Sequence, residues 1–116
     1  MKVDRSLLSG STTLLVLSLL AEGEKYGYQL IAELAARSDD TFCLKEGTLY
    51  PILHTLEQAR RVVSYEREAE NGRMRRYYRI TPRGKELLTE KAAEWRFFAS
   101  KVDAIIPGRA IREGAV

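Results

Sequence analysis

The sequence predicts a mainly α-helical chain with one small β-hairpin, and three observations carry that expectation. First, "AENG" at 69–72 places an Asn-Gly pair between "VVSYERE" (62–68) and "RMRRYYRI" (73–80), two runs rich in β-branched and aromatic residues. Both residues of that pair tolerate positive φ, which marks a hairpin turn. Second, apolar residues ahead of the hairpin recur at helical spacing. Third, "TPRG" opens a long helical pattern that stops before Pro107-Gly108.

The elements follow in order. Residues 1–10 are a short lead with little signal. "STTLLVLSLLAEG" predicts a helix from Ser11 or Thr12, with hydroxyl side chains to cap it and Gly23 suited to a left-handed end. Apolar residues surround it almost completely, so it is expected to be buried on several sides, a second chain being one candidate cover. After the break "EGEK", "YGYQLIAELAARS" reads as a second helix with Tyr28, Leu30, Ile31 and Leu34 on its apolar side, ended by "SDD" at 38–40. "TFCL" at 41–44 suits a short extended piece.

"KEGTLYPILHTLE" at 45–57 predicts a third helix, to about Ala59, with Leu49, Ile52, Leu53 and Leu56 on one face. Pro51 interrupts that helix in principle, since proline removes a hydrogen bond and crowds the carbonyl four residues back. It lies opposite the apolar stripe, however, and the carbonyl concerned is that of Gly47, near the start. If the helix began at Thr48, Pro51 would fall in the first turn, where no hydrogen bond is lost. Thr81 is a sound N-cap and Pro82 fits the first helical position of the last helix, 82–106. Leu88, Ala92, Trp95, Ala99, Val102 and Ile106 form a heptad-type seam along it. Three helices closed by a hairpin have the layout of a winged helix-turn-helix. The expected organisation is a winged-helix unit over 1–81, a dimerisation helix over 82–106 and a flexible tail over 107–116.

Composition excludes several function classes. The chain has 116 residues, 45% hydrophobic and 30% charged, with a net charge of only +3, so overall charge does not by itself point to nucleic acid. A single cysteine and a single histidine rule out an intrachain disulfide and a conventional zinc site. Cys43 is expected to be a small core residue and His54 a solvated polar one. The apolar run 14–21 is too short to span a bilayer and lacks the flanks of a signal peptide, so the chain reads as cytosolic. There is no phosphate loop and no convincing nucleophile–base pair. Neither an enzyme nor a cofactor is expected.

Charge distribution is more informative than net charge. Residues 73–85 carry Arg73, Arg75, Arg76, Arg79, Arg83 and Lys85 with no acidic residue, interleaved with Tyr77 and Tyr78. Such a run on a hairpin suits phosphate binding, although a charge-protected edge strand would look similar. Alternation puts Tyr78 and Ile80 on the core face and Arg75, Tyr77 and Arg79 on the other. On the third helix the side opposite the apolar stripe shows Gly47, Pro51, His54, Thr55 and Gln58, flanked by Thr48 and Tyr50. These are small or neutral hydrogen-bonding groups, suited to reading base edges in a major groove. A face packed against another part of the same protein is the structural alternative.

"KYGYQLIAEL", "EGTLYPILHTLE" and "NGRMRRYYRITPRGKELL" together resemble the PadR family of bacterial transcriptional regulators, with matching order from about Leu14 to Ile106. The resemblance implies a winged helix-turn-helix that binds double-stranded operator DNA as a homodimer, usually as a repressor, with the last helix and the first making the dimer. It carries DNA contact to Tyr28, Thr48, Tyr50, Pro51 and His54 in the helix-turn-helix, and to Arg73, Arg75, Arg76 and Tyr77 on the wing. Many relatives respond to small aromatic or hydrophobic molecules, and a tryptophan of the final helix lines the pocket in some. Trp95, with Ala99 and Val102, is therefore expected either to bind an effector or to form the dimer core. Three positions depart from the family pattern: Arg60 replaces a glycine, Arg61 an apolar residue and Lys45 a capping Ser or Asn. Arg60 must adopt a left-handed conformation at about 1 kcal/mol or let the helix run on. The competing function is a winged-helix protein-interaction module without a specific operator.

Overall fold

A computed structural model describes residues 1–108; the segment 109–116, most of the predicted flexible tail, lies outside the described residues. The elements are α1 (Arg5–Ser9), α2 (Thr12–Leu20), β1 (Lys25–Tyr26), α3 (Gly27–Arg37), α4 (Glu46–Gln58), β2 (Val62–Glu68), β3 (Met74–Ile80) and α5 (Pro82–Ile105). The strands form one antiparallel sheet in the order β1-β3-β2. Val16, Leu17, Leu20, Leu30, Leu49, Leu53 and Val62 are the largest fully buried side chains, so α2, α3, α4 and the start of β2 share one core. The predicted winged helix-turn-helix is the observed architecture.

Four local expectations are corrected. The lead is not featureless: α1 forms over Arg5–Ser9, because the Asp4 carboxylate accepts from the Ser6 backbone N–H at 2.9 Å and Leu8 packs on the core. A helix this short shows no periodicity to read. No strand forms at 41–44. Asp39 (φ 50°) and Asp40 (φ 61°) turn the chain through left-handed conformations, and Leu44 is buried while Cys43 is exposed. Cys43 is thus not the core residue that its apolar neighbours suggest. The third strand lies instead at the end of the expected break and on the first residue of the expected second helix, where Lys25 pairs with Tyr78 and Tyr26 with Tyr77. A two-residue strand has no alternation, so its only sequence mark is Tyr26.

The hairpin forms where expected but by a different turn. Among the described non-glycine residues, Asn71 is not one with positive φ; Gly72 alone takes it, at 81°. Gly72 N–H donates to the Ala69 carbonyl at 2.9 Å, and Ala69 N–H to the Arg73 carbonyl at 2.8 Å. This closes a three-residue loop with glycine at the left-handed position. The Asn71 side chain accepts from Arg73 N–H at 3.1 Å, supporting the turn from its own side.

The departure at Arg60 is resolved by the left-handed alternative. Arg60 has φ 59°, its N–H donates to the Glu57 carbonyl at 3.0 Å, and Arg61 N–H donates to the Leu56 carbonyl at 2.8 Å. That pair of bonds is the Schellman end of a helix. The strain is held from across the fold. Thr81 N–H donates to the Arg61 carbonyl at 3.0 Å, and the Thr81 hydroxyl lies 2.8 Å from the Arg60 carbonyl. The same hydroxyl oxygen accepts from Gly84 N–H at 3.1 Å, capping α5 as predicted. Gly84 is buried there because a Cβ would overlap the Arg61 carbonyl and the Ile80 side chain. "TPRG" is therefore a clamp on the α4–β2 corner as well as a helix start.

Candidate nucleic-acid interface

Helix α4 presents its predicted faces. Leu49, Leu53 and Leu56 are buried, and Gly47, Thr48, Tyr50, Pro51, His54, Thr55 and Gln58 are exposed. The helix begins at Glu46, so Pro51 lies beyond the first turn and the Gly47 carbonyl lacks its usual donor. Both residues face solvent, which keeps that loss tolerable. Lys45 makes no side-chain cap, as its type predicts.

Tyr50 of α4 lies against the start of α3. A Cβ on Gly27 would overlap the Tyr50 ring and hydroxyl, so a larger residue there would have to push that side chain aside. Tyr28, the next residue of α3, is 63% exposed, and Tyr50 is exposed as well. On its other flank α4 borders grooves. Thr48 lines one with Arg5, Leu8 and Cys43; Pro51 and Thr55 line another with Thr13, Leu87 and Lys91.

The predicted wing residues do not share one surface. Register places Val62, Ser64 and Glu66 opposite Ile80, Tyr78 and Arg76, and that face carries the core. Arg76 is thus on the α4 side of the sheet. Its guanidinium donates to the Ser64 hydroxyl at 2.8 Å, and that hydroxyl in turn donates to the Glu57 carboxylate of α4. Glu66 lies 3.9 Å away on the same guanidinium. Beneath them Tyr78 is buried, and its hydroxyl is pushed above its ordinary pKa by desolvation first, then by Glu57 and Tyr50.

The outer face holds Arg75 and Tyr77, and here the expectation of an exposed Tyr77 is corrected. Tyr77 is only 6% exposed although it lies outside the main core. Tyr26 covers it edge-on at 5.4 Å, Tyr65 stacks at 6.2 Å and the Arg67 guanidinium lies over its ring at 4.1 Å. Arg67 is itself paired with Glu24. Arg75 sits over Tyr26 at 4.6 Å, half-buried, its Nε without a hydrogen-bond partner among the described residues. The reason for the correction is β1, which turns β3 from a hairpin strand into the central strand and brings a third tyrosine. Arg73, by contrast, is exposed beside the turn.

The acid-free run 73–85 is therefore not free of counter-anions. For Arg76 they are Glu66 of β2, directly, and Glu57 of α4, through Ser64. The three-residue loop sets a register that puts Glu66 opposite Arg76 and Arg67 opposite Arg75, whereas a two-residue Asn71-Gly72 turn would put Arg67 opposite Arg76, so the expected turn did not give this pairing. Ser64, Glu57 and Arg67 are the residues that reading the run alone misses.

At the other end of the molecule, Trp95 (50% exposed), Phe97, Phe98, Val102, Ile105 and Ile106 are exposed on and beside α5, while Ala99 is half-buried. The predicted seam splits: Leu88 packs on the core, and from Trp95 onward the seam faces outward. Trp95 and Phe98 meet Leu7 and Leu14 across a groove of about 430 Å³. Among the described residues there is no cluster of potential metal ligands and no helix long and apolar enough to cross a membrane.

A helix-turn-helix with an exposed neutral face on its second helix and a β-wing beside it defines a transcription-regulator class of protein. The chain belongs to the transcriptional regulator PadR-like family, whose model matches residues 16–90. It is 38% identical over 86 residues to the transcriptional regulator Rv3488 of Mycobacterium tuberculosis, covering 74% of this chain and 77% of that one. Among solved structures, a transcriptional regulator from Clostridium thermocellum superposes with a TM-score of 0.80 at 32% identity, over 87% of this chain and 98% of the other. A PadR-like transcriptional regulator from Bacillus cereus gives 0.77 at 28% identity, over 89% and 98%.

Proposed function

We propose that this transcriptional regulator binds operator DNA as a homodimer in the cytoplasm and acts as a repressor. Helix α4 would lie in the major groove and the wing on the backbone or minor groove. The observation that carries the reading is the exposed face of α4. Its outward residues, Gly47, Pro51, His54, Thr55 and Gln58, are uncharged hydrogen-bonding or small groups, with Arg76 on the adjoining side of the wing. A merely solvated helix face would carry mixed charges. Tyr28, Thr48 and Tyr50 border that face. The dimer reading rests on the apolar row at Trp95, Phe98, Val102 and Ile105, which is larger than isolated exposed residues explain. A small aromatic or hydrophobic effector fits the groove between Trp95, Phe98, Leu7 and Leu14.

Selection of bound fragments from genomic DNA tests the reading. The expected result is one enriched, two-fold symmetric sequence with half-sites about one helical turn, roughly 34–36 Å, apart. Binding without any enriched sequence would favour the interaction-module alternative. Within the DNA reading, Arg76→Ala should lower the magnitude of the salt slope of binding to the selected sequence by about 0.9, one phosphate contact. Arg75→Ala should change that slope less, because its guanidinium is stacked on Tyr26. Equal slopes for the two variants would sink this assignment of the wing faces.

A further inference from the structure

Arg76 is not a free cation. Its guanidinium donates to the Ser64 hydroxyl at 2.8 Å and lies 3.9 Å from the Glu66 carboxylate, and Ser64 hands its own proton toward Glu57. The three partners come from different places: Glu57 from the last turn of α4, Ser64 and Glu66 from β2. The wing cation nearest α4 is therefore held by a chain that begins on α4 itself. Arg75, the neighbouring wing cation, has no carboxylate within ion-pair distance among the described residues and rests on an aromatic ring instead. The two arginines are adjacent in sequence and differ in kind.

We propose that Glu66 and Glu57 are discrimination-setting residues: in the free protein Glu66 pairs with Arg76 while Glu57, through Ser64, positions it, and the guanidinium leaves Glu66 only when the wing is seated against a DNA backbone. The inference rests on the DNA-binding reading above. Loose binding to random DNA comes from the summed attraction of free cations for phosphates. A cation already engaged with a carboxylate adds little to that attraction, because phosphate meets the pair as a nearly neutral group. In a seated complex a phosphate within hydrogen-bond reach makes a direct charge-assisted bond. That bond replaces an ion pair which, being exposed, is weak. The carboxylates thus depress the loose mode more than the seated one. Glu57 adds position: through Ser64 it fixes where the guanidinium waits relative to the recognition helix.

The test measures affinity and salt slope on a random duplex and on the fragment recovered by the selection described above, for four proteins: wild type, Glu66→Gln, Arg76→Ala and the double variant. Glu66→Gln alters an exposed side chain and should leave the fold intact. It should tighten random-duplex binding roughly two- to fivefold, the range of one exposed pair. Its salt slope should steepen by up to about 0.9. The gain on the selected fragment should be smaller, so that discrimination falls. In the Arg76→Ala background Glu66→Gln should do nothing further. Glu57→Gln, which keeps an oxygen to accept from Ser64, should act in the same direction as Glu66→Gln. A gain that persists without Arg76 would mean that Glu66 acts through the general field, which overturns the proposal. So would no gain at all, or equal gains on both duplexes. If the wild type binds neither duplex at low salt, the DNA-binding reading itself fails, and this one with it.

Discussion

The two halves of α5 make an instructive contrast. Up to Ala92 the helix belongs to the head: Leu87 and Leu88 pack on the core, and Gly84 lies against the α4–β2 corner. From Trp95 onward the helix is more apolar than before, yet Trp95, Phe97, Phe98, Val102 and Ile105 are exposed. The first half finds its partner within its own chain. The second half has Leu7 and Leu14 beside it, across the groove they share with Trp95 and Phe98. Apolar spacing alone reports that a helix face wants cover, not which chain supplies it.

The strongest way to break that contrast is to charge the outer half. Val102→Glu should cost about 3 kcal/mol or more of self-association if Val102 is covered by a second copy, since an unpaired carboxylate would be buried. Sedimentation should then show monomers, with the helical signal of the head largely retained. A variant that stays dimeric would place the dimer contact elsewhere. A variant that unfolds altogether would show that the head depends on its partner and that the two halves are less separable than drawn.

Gly84→Ala probes the inner half, with the next largest effect. The added methyl meets backbone at Arg61, which cannot swing aside as a side-chain end can. The expected loss is about 2 kcal/mol of stability, read by denaturant melting, and it should be present whether or not the protein is dimeric. A neutral result would mean that the α5 start is free to shift, and the clamp on Arg60 would be looser than its hydrogen bonds suggest.

How much of this could be read from the sequence differs by region for physical reasons. The helices α3, α4 and α5 were legible because each carries an apolar stripe, and a stripe leaves a period, while α2, apolar nearly all round, was legible from its capping hydroxyls and Gly23. The hairpin was legible because Asn71-Gly72 announces it. β1 and α1 were not, since two and five residues are too few to show any period. The exposed face of α4 was legible by subtraction, as the side opposite Leu49, Leu53 and Leu56. The wing was read less well. Composition gave its charge, but pairing decides which arginine faces which neighbour. Tyr77 looked like a contact residue until β1 supplied Tyr26 to cover it. Gly27 and Gly84 illustrate the same limit, because the need for a missing Cβ lies in elements distant in sequence.

Arg60→Gly gives a smaller effect of opposite sign. Glycine relieves a left-handed residue of about 1 kcal/mol, but its greater freedom in the unfolded chain returns roughly 0.5 kcal/mol or more of that gain. The net expectation is a stabilisation of at most about 0.5 kcal/mol, a rise of roughly 2–4 °C in Tm. A clear loss would mean that the Arg60 side chain contributes something beyond its backbone angle.

The smallest effect concerns Tyr78 and links the head's core to the polar chain above it. Burial raises the ionisation of this hydroxyl above the ordinary tyrosine value of about 10, and the charge of Glu57 raises it further. The folded state therefore favours the neutral phenol. The stability it contributes is complete below the unfolded value and is lost as pH rises through the folded one. Alkaline melting should accordingly weaken in that window and not below it. Glu57→Gln removes the second cause but leaves burial, so it should bring the Tyr78 transition part of the way down, read as earlier phenolate absorbance against a Tyr78→Phe reference. If Glu57→Gln leaves the transition where it was, the Glu57 carboxylate does not sit over Tyr78. The hydrogen bond through Ser64 that ties α4 to the wing would then have to be redrawn.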